Sequence, residues 1–408
     1  MTLPLEGVKV VDFSEHYFVP ASAAVLGEWG ADVVKIERRD GDALRAIGHL
    51  EDHGFSYFFA ICNRNKRGIA LDVEVPAGRE ILHKLVAEAD VYITNHLPRV
   101  QRRLGTRPED IFAINPKIVF ARGSGQGKFG PDAENGGNDN LSYWSRASVA
   151  YMLSDDSGDL IPQRGAIGDG PSGIAMAAGI LAGLIQARAT GRGVEVNASL
   201  LSMGIWTMAP DIALTSLTGE VPTRRKASGP ATNRPLGSPI GSRYLTSDGR
   251  VLALSMTNET RYWPRACRAL GLEDLIEPYS DREARARDAV KLHERFNDVL
   301  GSLTAAEAVA RLSAEECVFG FVNSPLDVLA DPQVEANGYL LTHPQLPSLK
   351  LAAIPAQFDD VQPAIKCGAP ALGEHDAEVL RELGYSDQRI SELAADGTIG
   401  ATGQPRAH

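Results

Sequence analysis

Asp169 is the residue whose type and setting best fit covalent chemistry. It lies between Gly168 and Gly170, directly ahead of a run of small residues at 173–187. An aspartate followed by Gly-Pro-Ser is typical of a helix start, and a structural cap is the more frequent role for it. The alternative is a carboxylate nucleophile, because glycines on both sides let a ligand approach the backbone closely. The residues alone leave both interpretations open.

Two short basic clusters interrupt an otherwise acidic chain. The sequence has 41 Lys and Arg against 52 Asp and Glu, a net charge of −11. Nucleic acid and anionic membranes are therefore poor candidate partners. The clusters lie at 63–67 and 99–103, beside predicted strands. Solvated loop charge is the more common explanation for such clusters, and binding of a phosphate-bearing ligand is the alternative.

The sequence lacks the motifs of several other site classes. It has no HExxH or CxxC spacing, no GxGxxG after the first predicted strand and no P-loop. The four cysteines are far apart, which is typical of a protein from a reducing compartment. The N-terminus does not resemble a signal peptide, and the apolar run at 173–185 is expected to be too short to span a membrane. We therefore predict a cytoplasmic protein that holds no metal.

Apolar runs alternate with helical patterns over the first 130 residues. Strands are predicted at 8–14, 32–37, 68–72, 91–94 and 118–124, and helices at 20–30, 76–89, 98–104 and 108–114. This alternation predicts an α/β fold with a Rossmann-like, doubly wound parallel sheet. Its ligand crevice is expected at the carboxyl ends of the strands.

The composition changes after the small-residue helix at 173–187 and the strand that begins at 194. Residues 217–242 are rich in Gly, Pro, Thr, Arg and Ser and lack periodicity, which indicates a crossing between domains. A hairpin with Asp248-Gly249 at its turn follows. We predict a large domain over 1–216, a linker and smaller α+β domain over 217–330, and a return to the large domain over 331–408. Residues 396–408 are expected to fray.

Several motifs together resemble the family III CoA-transferases, a group that includes formyl-CoA and carnitine–CoA transferases and has α-methylacyl-CoA racemase as a relative. The resemblance runs nearly end to end. It rests on PLEGVKVVDFS, LGEWGADVVKIER, NRNKRGIALD, ADVYITNHLPRVQRRLG, RGAIGDGPSGIAMAAGILAGL, TGRGVEVNASLL and ALGEHDAEVLRELGY, in that order.

The resemblance implies a site and an assembly. Asp169 falls on the nucleophile, and coenzyme A is the implied co-substrate, exchanged between an acyl-CoA and a carboxylic acid through an aspartyl-CoA thioester. The implied assembly is an interlocked homodimer. The positions implied to bind CoA or the acyl group are His16, Tyr17, Phe18, Arg38, Leu71, Asn95, Arg103, Leu104, Asn138 and Asp139.

This chain departs from formyl-CoA transferase at three places. Tyr17 and Phe18 replace small or polar residues, only 237–241 corresponds to a run of glycines, and Gly136 replaces a CoA-contacting lysine. We predict that the two aromatic residues form an apolar wall that favours larger acyl groups. The competing interpretation packs them inward against Tyr57 or Phe58.

Two other functions stay open at this point. Racemisation of an acyl-CoA needs a titratable base, and Asn138 falls where the racemases carry a histidine, so this reaction is disfavoured. The other is acyl-CoA binding without turnover. That function would not require a carboxylate at position 169.

Overall fold

The chain forms two compact units in a computed structural model that describes residues 3–51, 54–154, 159–222, 237–359, 361 and 364–402. The larger unit takes Met1–Leu153, Leu160–Thr223 and Gln333–His408, and the smaller takes Arg224–Pro332 with Ser154–Asp159. The domain limits proposed from the sequence stay a prediction. Most of the predicted crossing at 217–242 lies outside the described residues.

The larger unit is built on a parallel sheet, which confirms the α/β prediction. Its first eight strands are β1 (Lys9–Phe13), β2 (Asp32–Glu37), β3 (His49–Leu50), β4 (Phe55–Ser56), β5 (Lys66–Ala70), β6 (Val91–Thr94), β7 (Val119–Ser124) and β8 (Val194–Ser199). Strands β3 and β4 pair with each other. The remaining six form the parallel sheet in the order β5-β2-β1-β6-β7-β8.

Nine α-helices lie in the larger unit between β1 and residue 222 in the described part of the chain. They are α1 (Phe18–Glu28), α2 (Tyr57–Asn63), α3 (Pro76–Glu88), α4 (Pro98–Leu104), α5 (Pro108–Ile114), α6 (Val149–Leu153), α7 (Asp169–Thr190), α8 (Leu200–Thr207) and α9 (Ala209–Thr218). Proline opens α3, α4 and α5, where its missing N–H and fixed φ fit the first turn. The predicted helices at 98–104 and 108–114 are confirmed to the residue.

Helix α7 is longer than the sequence suggested. It has 22 residues, and by length and composition it is long and apolar enough to cross a membrane, so the expectation of too short a segment is wrong. The bent pair α8 and α9 also passes that test if taken as one span. Glycines let α7 pack closely. A Cβ on Gly173 would lie 3.0 Å from the carbonyl oxygen of Phe18, and one on Gly183 would lie 3.0–3.2 Å from valine side chains of β7 and β8.

The smaller unit combines a three-stranded antiparallel sheet with helices. Its elements are β9 (Arg243–Leu245), β10 (Val251–Leu254), α10 (Glu259–Leu270), α11 (Arg282–Arg287), α12 (Ala289–Ser302), α13 (Ala305–Ala314), β11 (Phe319–Phe321) and α14 (Pro325–Leu329). The predicted hairpin is confirmed, because β9 pairs with β10 and Gly249 takes a left-handed φ of +80° in the turn. Trp263 and Phe296 stack in its core.

The C-terminal part returns to the large unit and covers the exposed edge of β5. It contains α15 (Pro332–Ala336), β12 (Leu340–Thr342), β13 (Lys350–Ala352), α16 (Asp376–Glu382) and α17 (Asp387–Ala395). His375 Nδ1 accepts from Gly68 N at 3.1 Å, and Asp376 Oδ1 accepts from Ala70 N at 2.8 Å. These bonds satisfy backbone groups that an edge strand would otherwise leave unpaired.

The expectation that residues 396–408 fray is wrong for the part that is described. Ile399 is 3% exposed and forms a β-bridge with Leu71, and Gly400 N donates to Ala70 O. Apolar burial and backbone pairing therefore fix this segment beside β5. Residues 403–408 lie outside the described part.

Two apolar cores lie on opposite faces of the parallel sheet. In β1, Val10 belongs to one core and Val11 to the other, as expected for a strand buried on both faces. Helices α1 and α7 contribute to the first core, and α3, α16 and α17 to the second. Because the two cores cover the faces of the sheet, a ligand site is expected at the carboxyl ends of its strands.

Candidate active site

Fully buried ion pairs fix the loop that follows β1. Lys66 Nζ lies 2.7 Å from Asp12 Oδ2, and Lys35 Nζ lies 3.0 Å from Asp42 Oδ2, with all four side chains inaccessible to solvent. Asp42 Oδ1 also accepts from the backbone N–H of His16 at 3.0 Å. Because buried charges tolerate few other arrangements, these pairs hold His16 in its left-handed conformation, φ +68°.

The basic cluster at 63–67 belongs to this framework. Arg64 forms a nearly inaccessible pair with Glu28 at 2.8 Å, and Lys66 pairs with Asp12. Arg67 pairs with Asp32 at 2.7 Å on the larger unit's surface. Solvated loop charge is therefore the wrong explanation for Arg64 and Lys66, and neither has a free charge to offer a phosphate.

Asp169 is the first residue of α7, and a second carboxylate holds the turn that presents it. Asp139 is 7% exposed, and its Oδ2 accepts from Gly168 N at 3.1 Å. A Cβ on Gly168 would lie 2.3 Å from both Asp139 and the ring of Tyr143, so only glycine allows this approach. Gly168 is therefore required by its close contact with Asp139 and Tyr143, not by the approach of a ligand.

Burial raises the pKa of Asp169 to about 7, and the nearby charge of Asp139 adds to the effect. The N-terminus of α7 acts in the opposite direction, but a helix dipole contributes at most about 2 kcal/mol. Because the pKa of Asp169 nevertheless rises to about 7, burial outweighs the helix dipole. Burial also raises the pKa of Asp139. Asp169 consequently changes its charge within the physiological pH range.

The backbone N–H groups around Asp169 are already occupied. Gly168 N donates to Asp139, Gly170 N donates to Ala166 O at 3.3 Å, and Ser172 N donates to Gly168 O at 3.1 Å. None of these three N–H groups is therefore free to donate to an oxyanion at Asp169. Ala166 itself holds a left-handed φ of +62°, which is strained for a residue with a Cβ.

Tyr17 and Phe18 take different positions. Tyr17 meets Phe58 edge-on, with ring centroids 5.9 Å apart, and lines a cavity of about 860 Å³ beside Gly170. Phe18 is 6% exposed and packs in the core, where its ring fills the space next to Gly123. The prediction that both aromatics line the pocket is therefore wrong for Phe18. The contact of Tyr17 with Phe58 agrees with the competing interpretation of inward packing, although Tyr17 also lines the cavity.

The 860 Å³ cavity is apolar over most of its wall. Of the described residues that line it, Arg64 alone carries a full charge, and that charge is paired with Glu28. The apolar contributors beyond Tyr17 include Ala21, Ile61, Pro171, Ile174, Met203 and Ile354. Such a surface binds hydrocarbon rather than a small polar group.

A second cavity of about 470 Å³ lies at the carboxyl ends of β1, β2, β5 and β6. It brings together four residues of the predicted CoA set, Arg38, Leu71, Arg103 and Leu104. Asn95 does not line it, because its side chain exchanges two hydrogen bonds with the backbone of Glu15, at 2.7 and 3.0 Å.

The two predicted arginines of the second cavity are not free. Arg38 pairs with Asp40 at 3.0 Å and Arg103 with Glu74 at 3.2 Å. Both arginines are substantially exposed, so these pairs contribute little stability and a phosphate could displace the carboxylates. The prediction of arginines at one ligand site is consistent with this geometry, whereas the sequence did not indicate their acidic partners.

A family model described as CoA-transferase family III matches residues 5–376. The chain belongs to CoA-transferase family III. The (R)-2-hydroxy-4-methylpentanoate CoA-transferase of Clostridioides difficile is 30% identical over 95% of this chain and 98% of the relative. Human succinyl-CoA:glutarate CoA-transferase is 28% identical over 97% of this chain and 90% of the relative. A CaiB/BaiF family protein from Brucella suis has a similar structure, with a TM-score of 0.81, 26% identity and coverage of 94% and 100%.

Family membership makes this protein a CoA-transferase that takes acyl-CoA as co-substrate. Asn138, at the position of the racemase histidine, caps a helical turn, since its Oδ1 accepts from Leu141 N at 2.9 Å. It has no group that titrates as a base near neutral pH. Nothing in this geometry favours racemisation.

Glu74 and His96 are among the residues that line the second cavity and were not predicted from the sequence. His96 directly follows Asn95 at the end of β6, so its position at the carboxyl edge of the sheet was a usable signal. Glu74 gave no such signal, because its contact with Arg103 depends on tertiary structure. Within the described residues, no group of three or more His, Cys, Asp or Glu side chains is placed to hold a metal.

Proposed function

We propose that this CoA-transferase works through a covalent intermediate on Asp169. The observation that carries the proposal is the position of this carboxylate, on a tight turn at the start of α7 and next to an apolar cavity. Asp169 is half-buried, so its carboxylate is less well solvated than one in water, which favours its action as a nucleophile. A protein that only binds CoA would have no use for such a group.

The proposed reaction consists of two successive acyl exchanges. Asp169 attacks the thioester carbonyl, and the C–S bond breaks to release CoA thiolate and leave a mixed anhydride. The thiolate attacks the aspartyl carbonyl, giving aspartyl-CoA and the first carboxylic acid. The acceptor carboxylate then attacks aspartyl-CoA, and the C–S bond breaks to release CoA thiolate and leave a second mixed anhydride. The thiolate attacks the acceptor's carbonyl carbon in that anhydride, which forms the new acyl-CoA and releases Asp169 as a carboxylate. The covalent route thus divides one difficult exchange into several easier steps.

The two cavities suggest how the substrate lies. We propose that the 470 Å³ cavity takes the phosphate-bearing end of CoA, because Arg38 and Arg103 suit phosphate oxygens. The acyl group then lies near Tyr17, in the apolar cavity that Gly170 and Pro171 share. The roles of His16, Leu71, Asn95, Leu104, Asn138 and Asp139 in binding CoA likewise stay predictions.

We also propose a homodimer. Ile185, Trp206 and Leu217, on α7, α8 and α9, are 72%, 76% and 85% exposed. Large exposed apolar side chains on neighbouring helices often mark an interface. Light scattering at micromolar concentration tests this, and a monomer would contradict it. The cytoplasmic location stays a prediction as well.

The covalent mechanism is tested by exchange of labelled CoA between donor and acceptor acids. A panel of acyl-CoA donors and acids first identifies an active pair. Asp169→Ala should abolish exchange, whereas Asp387→Ala, at an exposed position of α17, should leave it unchanged. Borohydride added during turnover should reduce the aspartyl thioester and mark the peptide that contains residue 169. Full exchange by Asp169→Ala would refute the mechanism, and CoA binding without exchange for any pair would favour a binding protein.

A further inference from the structure

Arg64 lines the 860 Å³ cavity, but each nitrogen of its guanidinium is bonded within the protein. Nε donates to Glu28 Oε2 at 2.9 Å, Nη1 donates to the carbonyl oxygen of Ile61 at 2.6 Å, and Nη2 donates to that of Ala352 at 3.0 Å. Glu28 Oε1 also accepts from Ile354 N at 2.8 Å, which fixes the carboxylate beside the guanidinium. The positive charge of Arg64 is therefore neutralised at the cavity wall.

The hydroxyl groups of the wall offer little in place of that charge. Ser172 Oγ donates to Gly168 O at 2.6 Å, so its proton is already used. Ser202 Oγ likewise donates to the carbonyl oxygen of Ser199 at 2.8 Å. The hydroxyls of Ser199 and Tyr17 can each donate one neutral hydrogen bond. Among the described residues that line the cavity, none therefore presents a free positive charge.

An acyl group that carries a second carboxylate would meet an unfavourable environment in this cavity. A carboxylate that moves from water into an apolar site loses its hydration, and only a counter-charge or several hydrogen bonds compensate for that loss. A hydrocarbon acyl group has no such loss and gains free energy from the burial of its methylenes. The wall should therefore distinguish two acyl groups of equal length by their charge.

We propose that this enzyme transfers CoA between acids with a single carboxyl group, and that Glu28 enforces this substrate class by neutralising Arg64. The inference rests on the proposed function, because it requires the acyl group to lie in the 860 Å³ cavity. The single carboxyl group of such an acid becomes the thioester, so the part that enters the cavity is uncharged. A dicarboxylic acid keeps one carboxylate, which would need the charge that Glu28 has already taken.

The test compares acyl-CoA donors of equal length, pentanoyl-CoA with glutaryl-CoA and butanoyl-CoA with succinyl-CoA. Initial rates of CoA transfer to hexanoate, the common acceptor, give kcat/KM for each donor. We expect kcat/KM to be about a hundred-fold or more higher for the donor that lacks the second carboxylate. Glu28→Gln keeps an oxygen that can accept from Ile354 N but leaves Arg64 without its counter-charge, so this preference should shrink about ten-fold or more.

Met203→Lys is a second variant that leaves the buried ion pair intact. It replaces an apolar side chain of the cavity wall with a cation of similar length, so it should also shrink the preference about ten-fold. Met203→Gln is the matched control, because it changes the same position without adding a charge, and it should preserve the preference.

The outcomes separate this inference from the proposed function. Equal use of pentanoyl-CoA and glutaryl-CoA by the wild type would overturn the inference, whereas loss of exchange in Asp169→Ala would still support the covalent mechanism. An unchanged preference in a folded Glu28→Gln would overturn the role of Glu28. If Glu28→Gln does not fold, an unchanged preference in Met203→Lys overturns the proposal by placing the acyl group outside this cavity. Absence of exchange with every donor and acid would instead refute the proposed function.

Discussion

Asp139→Asn should shift the pH dependence of CoA transfer to lower pH. The change removes a negative charge beside Asp169 and retains a side-chain oxygen that can accept from Gly168 N, which Asp139 now does at 3.1 Å. Because the charge of Asp139 is one of the two causes that raise the pKa of Asp169, the substitution should lower that pKa. The turn itself should keep its shape.

The size of the shift follows from the order of the two causes. The pKa of Asp169 rises from 3.8 to about 7, with burial as the larger cause and Asp139 as the smaller. Removing the smaller cause should therefore lower the pKa by about one unit. At pH 6 the ionised share of Asp169 would rise from about a tenth to about a half, so kcat/KM should increase about five-fold. At pH 8 the carboxylate is ionised in both proteins and the gain should disappear.

The measurement is the initial rate of labelled CoA exchange between pH 5 and 9, with the donor and acceptor that exchange fastest. Asp387→Asn serves as the control, because that side chain is 78% exposed and pairs with Arg381. In Asp139→Asn only Asp169 titrates at this position, so the pKa fitted for the variant belongs to Asp169. An unchanged profile, or one moved to higher pH, would show that the charge of Asp139 does not act on Asp169. An equal loss at every pH would show that Asp139 acts by another route.

Three further substitutions test the surroundings of the site. Glu74→Gln frees an arginine of the 470 Å³ cavity from an exposed ion pair, so CoA should bind a few-fold tighter by calorimetry with little change in stability. Ala166→Gly should relieve the left-handed strain and raise the free energy of unfolding by about 1 kcal/mol. As a control, Ala310→Gly changes an exposed residue in the middle of α13 and should lower the free energy of unfolding by about 1 kcal/mol, because glycine is a poor helix former. Asp12→Asn leaves Lys66 buried without its counter-charge and should cost about 3–5 kcal/mol in urea unfolding. Effects of the opposite sign would contradict each argument.

Local sequence signals predicted the elements that build the sheet. The strand at 91–94 and the helix at 98–104 agree with the structure to the residue, because apolar runs, an opening proline and a closing glycine all act locally. Gly105 ends that helix with a left-handed φ of +66°, as such a position requires. Chemistry at the carboxyl ends of these strands then follows from parallel topology.

Long-range pairing could not be predicted in the same way. Lys66 and Asp12 are 54 positions apart, and nothing near either residue indicates that both are fully buried. The cover of β5 by His375 and Ile399 depends on a segment more than 300 residues away. The polar, glycine-containing composition near residue 399 suggested a fraying tail, but burial of Ile399 against β5 orders this segment.

Tyr17 offers the remaining test, on the acyl group. Its ring forms part of an apolar wall beside Gly170, so Tyr17→Ala should remove hydrocarbon contact from a bound acyl chain. Each buried methylene contributes about 0.8 kcal/mol, or a few-fold in affinity. The kcat/KM for branched or aromatic acyl-CoA donors should therefore fall several times more than that for formyl-CoA or oxalyl-CoA. Tyr17→Phe should keep the preference if the ring, and not the hydroxyl, forms the wall.

Phe18→Leu separates this effect from general damage near the site. Phe18 is buried in the core and does not line the cavity, so its substitution should lower the free energy of unfolding and leave the ratio of large to small donors unchanged. Tyr17→Ala should change that ratio, because Tyr17 lines the cavity. Equal losses for small and large donors in Tyr17→Ala would place the acyl group elsewhere. A changed donor preference in Phe18→Leu would show that the core behind the cavity also shapes it.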